Sequence, residues 1–121
     1  MKKREQPFKR WELCESDLAD ITPEKARDLI INCFYSAQTE TFIRARRQIG
    51  VRSSNEDIQA SVIAGVRAAF KEIGGDFDKP SKESLEKVVQ ALAKKSASWG
   101  TPEDIIEYHK KQIQRILERL Q

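Results

Sequence analysis

Apolar side chains recur every three or four positions along four stretches of this chain, and nowhere do they alternate. Spacing near 3.6 puts such residues on one face of a helix, whereas a strand needs a period of two. The expected class is therefore all-α. The punctuation agrees, because the few prolines and glycines fall between the periodic stretches and not inside them, Gly65 excepted.

The first expected helix opens at Thr22-Pro23-Glu24, with a good N-cap, a proline at the first helical position and an early acid for the dipole. It runs to about Ile49, stops at Gly50, and carries Ala26, Leu29, Ile30, Cys33, Phe34, Ala37 and Thr41 on its core face. The second starts near Ser54-Asn55-Glu56-Asp57, carries Ile58, Val62, Ile63, Val66, Ala69, Phe70 and Ile73, and ends at Gly74-Gly75. The third follows Pro80-Ser81 with Leu85, Val88, Val89, Leu92, Ala93 and Trp99, ending at Gly100. The fourth repeats the Thr-Pro-Glu start at Thr101-Pro102-Glu103 and carries Ile105, Ile106, His109, Ile113, Ile116, Leu117 and Leu120. Short connections favour antiparallel neighbours, so the expected architecture is an antiparallel four-helix bundle with a long first helix.

Ahead of it stands an N-terminal arm, flexible or docked, over residues 1–21, with the bundle domain over 22–121. The arm has a basic block (Lys2, Lys3, Arg4, Lys9 and Arg10 against Glu5) and then an acidic one (Glu12, Glu15, Asp17, Asp20), and the two cancel. Trp11, Leu13, Leu18 and Ile21 give it enough apolar surface to dock.

At 121 residues the chain suits one domain that needs no staples, and its 39% of hydrophobic residues suffices for a core. With Met1 at its start, it is expected to be a complete gene product. No stretch approaches the roughly 20 apolar residues of a membrane span, and the basic start leads into no apolar signal region. A cytoplasmic location is expected, with Cys14 and Cys33 as reduced thiols. Net charge of +3 is too small to imply nucleic acid by itself.

Motifs for chemistry are scarce. A carboxylate-bridged metal bundle needs two Glu-x-x-His pairs, but His109 is the sole histidine and no acid stands three residues before it. Cys33 reads as a small buried hydrophobe, and Cys14 sits among acids that disfavour a thiolate. His109 lies within an apolar stripe, which points to a structural side chain. Asp76-Phe77-Asp78 is not a calcium loop, because Pro80 and Lys87 stand where ligands are required. No catalytic residue, metal ligand or cofactor is expected. A bundle can still assemble a site from residues distant in sequence.

Two surface features remain. Arg44, Arg46, Arg47 and Arg52 crowd the end of the first helix, more cations than a helix dipole accounts for, and form a candidate basic patch. Ile31, Tyr35, Phe42 and Ile49 lie off the core stripe, the last three spaced by seven as along a supercoiled partner, and form a candidate interface. The second helix also has a strip of small residues, Ser61, Ala64, Gly65 and Ala68, read as a close approach by a neighbouring backbone. The leading functional reading is a non-enzymatic protein that self-associates, as a homodimer, or binds a protein partner. A nucleic-acid-associated protein using the arginines is the alternative, and an enzyme ranks last.

Overall fold

The computed structural model describes residues 11–49, 55–98 and 100–120. Among these residues the protein is all-α: α1 (Glu15–Leu18), α2 (Pro23–Ile49), α3 (Asn55–Glu72), α4 (Lys82–Ser98) and α5 (Glu103–Arg119), with no strand. The four long helices fall where the periodicity puts them, and none is long and apolar enough to cross a membrane. The basic block of the arm, residues 1–10, lies outside the described residues, as does Trp99.

Local signals set the boundaries. Thr22 caps α2, its Oγ1 accepting the Lys25 N–H at 3.1 Å. Ser81 and Ser84 cap α4 reciprocally, each hydroxyl accepting the other's backbone N–H, at 3.1 and 2.8 Å. At the end of α3 the Gly75 N–H reaches back to the Phe70 carbonyl at 2.9 Å and the Gly74 N–H to Lys71 at 3.2 Å. That pattern needs a left-handed residue between helix and loop, and Gly74 supplies it with φ of 74°. The second Thr-Pro-Glu start differs from the first. Thr101 is buried, and α5 begins one residue late at Glu103, with no side-chain cap.

Packing follows the apolar stripes. Helix α2 packs on α3 and α5, α3 on α4, and α4 on α5. The far half of α2 meets the start of α5 through Arg44 and Asp104, while Pro23 and Leu120 border one cleft at the opposite end. The core joins Ala26, Leu29, Ile30 and Cys33 of α2 to Val66 and Phe70 of α3, Leu85 and Val88 of α4, and Ile113 and Ile116 of α5. Each large side chain buried there contributes on the order of 1.5–3 kcal/mol before entropy is counted.

Residues 11–18 belong to this core. Leu13 and Leu18 are 4% and 3% exposed, and the segment is tied across α2 and α5. The Trp11 N–H donates to the buried Ser36 Oγ at 3.2 Å, and the Tyr108 hydroxyl donates to the Trp11 carbonyl at 3.3 Å. The connection between α3 and α4 is pinned by Phe77, edge-on to Phe70 at 5.8 Å between centroids. The guanidinium groups of Arg27 and Arg67 stack on the Phe77 ring at 4.7 and 4.2 Å.

Candidate binding groove

On α2, Gln38, Thr41 and Phe42 share one face, as residues three and four apart must. That face looks across at Ser61, Val62 and Gly65 of α3, with Leu92 of α4 behind them. Between the three helices lies an open groove of about 360 Å³ lined by these seven residues. Helix α3 leaves the space because its side chains there are small.

Gly65 decides how open the groove is. A Cβ built on it meets no heavy atom within 4 Å, and Ser61, Ala64 and Ala68 are exposed. This corrects the reading of the small strip as a close backbone approach. The strip faces outward, and a residue without a side chain there makes a hole. Thr41 turns its hydroxyl onto its own helix, donating to the Ala37 carbonyl at 2.7 Å. What it offers the groove is then chiefly its methyl group. None of the lining residues titrates near neutral pH, so the groove offers apolar recognition and not proton transfer. Phe42 stands at its edge, the large hydrophobic side chain left exposed among the described residues, at 37%.

The four candidate interface residues divide. Ile31 and Tyr35 are partly buried and pack against the core cluster, and Phe42 is exposed. The side chain of Ile49 lies outside the described residues. The arginines divide too. Arg44 binds both oxygens of Asp104, at 3.0 and 2.8 Å, and reaches Glu40 Oε2 at 2.6 Å. The Asp104 hydrogen bond, helped by the two negative charges, holds its guanidinium still more firmly protonated than usual. Arg44 thus clamps α2 to the start of α5 over Glu40, which is 6% exposed. The side chains of Arg46 and Arg47, and the whole of Arg52, lie outside the described residues.

Of the remaining chemistry-bearing groups, Cys14 is exposed, whereas Cys33 and His109 sit within the fold. Cys33 is fully buried, and burial pushes its thiol up to about 12. His109 is 4% exposed, with its ring edge-on to Tyr108 at 4.9 Å. Among the described residues no group of three or more His, Cys, Asp or Glu side chains is arranged to hold a metal ion.

Sequence reasoning found Phe42 and the small residues but not their relation; it read Leu92 as core alone, which it also is, and missed Gln38. The signal available was Gly65, an unfavourable helix residue whose cost of about 0.8–1 kcal/mol asks for a reason. No protein-family model matches this chain, and no curated protein or solved structure is significantly similar to it.

Proposed function

We propose that this chain is a non-enzymatic interaction protein that self-associates, its contact centred on Phe42 and the groove beside it. In this reading α2 to α5 form an antiparallel four-helix scaffold that holds the groove open. The observation that carries it is the pairing of features on one surface: an exposed Phe42 beside an unfilled apolar hollow. A surface with both a knob and a hole can match a copy of itself across a two-fold axis, each Phe42 entering the other copy's groove.

The energetics make the dimer weak. Phe42 is 37% exposed in the single chain, so covering what remains of two such side chains contributes about 1–2 kcal/mol, whereas association costs upward of 4 kcal/mol. Added contact along α2 and α3 is needed for a stable pair, and affinity in the micromolar range or weaker is expected. Light scattering after size exclusion, over a range of micromolar concentrations, tests this. Wild type should gain mass with concentration, Phe42→Glu should stay monomeric, and Phe42→Leu should keep part of the association. Wild type that remains a monomer throughout overturns the proposal.

A further inference from the structure

Residues 11–18 cross α2 and α5 as a strap, and the seat beneath it is built for that segment. Leu13 and Leu18 fill apolar positions in the core. Glu15 on the strap meets two cations of α5, Arg115 at 3.1 Å and Arg119 at 2.6 Å. Arg115 also reaches the Leu13 carbonyl at 3.5 Å. Each of these ties joins the strap to the body, so a strap from another copy could make all of them unchanged.

The link from the strap to α2 is short and lightly tied, by Lys25 Nζ donating to the Ala19 carbonyl at 3.0 Å and by the partly buried Ile21. Residues 19–22 span at most about 13 Å when extended. Within them Asp20 has φ of 51°, a left-handed conformation that costs a residue with a side chain and is relieved on extension. Asp20 and Ile21 border an open cleft of about 420 Å³ alongside Leu18, Pro23, Arg119 and Leu120, so one side of the link is open even though Ile21 rests partly buried against the core. The ion pairs of Glu15 are exposed and therefore weak latches. We propose that the strap is exchangeable: the seat on α2 and α5 takes residues 11–18 of a second copy, and two chains trade straps. Exchange conserves every strap contact, which makes it a low-cost route to a dimer. It does not require the Phe42 groove, which lies between α2, α3 and α4 and shares none of the strap's contact residues.

Two full-length chains test the exchange, both carrying Cys14→Ser and Phe42→Glu. One adds Glu15→Cys on the strap, and the other, lengthened by a tag, adds Arg119→Cys on the seat. Each holds one accessible thiol, because Cys33 is buried. They are mixed in urea, refolded together, treated with a short bis-maleimide and separated on a denaturing gel. A strap docked on its own body cannot join the two chains. Exchange yields the mixed covalent product several-fold above a control pairing that uses Lys110→Cys, an exposed position on α5, and the yield grows with concentration. Mixed product no greater than the control at any concentration overturns the proposal. Because both chains lack Phe42, a failed groove dimer and a failed exchange give separate results.

Discussion

Gly65→Ala should raise the stability of the folded chain, and the size of the effect can be worked out. Glycine inside a helix is about 0.8–1 kcal/mol worse than alanine, because it frees the unfolded backbone and buries nothing. The added methyl group meets no atom within 4 Å, so no packing penalty offsets this gain. For a chain of 121 residues the unfolding entropy is about 0.25 kcal/mol/K, which converts the gain into a rise in Tm of about 3–4 °C. Gly65→Leu should also fold at wild-type stability or better, yet its side chain would fill the groove and abolish self-association. Thermal melts by circular dichroism read the first effect, and light scattering reads the second. A Tm lowered by Gly65→Ala would mean that a neighbour packs against Gly65, and the open groove would be wrong.

Leu18→Ala should cost about 2–5 kcal/mol in urea unfolding, as buried leucines do, and a loss under about 1 kcal/mol would detach α1 from the core. Phe77→Ala removes the Phe70 edge contact and both stacked guanidinium groups, and should cost about 1–3 kcal/mol in the same assay; an unchanged midpoint would make the α3–α4 connection ornamental. A thiol reagent at pH 8 should count one reactive cysteine per native chain, Cys14, and two in denaturant. Burial raises Cys33 from 9.0 to about 12, so the native state keeps a proton that the unfolded state releases. Stability should therefore be full below about pH 9 and fall as pH rises toward 12, with a shallower fall in Cys33→Ala; equal slopes would remove Cys33 as a cause.

The helices were legible because each is amphipathic and several ends carry a local signal, such as Thr22, Ser81 or Gly74. Residues 11–18 were half legible. Leu13 and Leu18 announced surface to bury, but periodicity cannot say what a four-residue helix docks on. The seat is assembled from Ser36, Tyr108, Arg115 and Arg119, distant from the strap in sequence. The small strip on α3 was visible and misread, because small residues fit both a close neighbour and a hollow, and only the placement of α2 and α4 separates the two. Arg44 shows the same limit: four arginines read as one patch, while Asp104, sixty residues away, claims one of them.

The groove contact is tested most directly by amide NMR spectra of the wild-type chain recorded across a dilution series. A groove dimer predicts shifts that move together with concentration at Gln38, Thr41, Phe42, Ser61, Gly65 and Leu92, and that vanish in Phe42→Glu. Shifts confined to other surfaces, or none over the whole series, would contradict it.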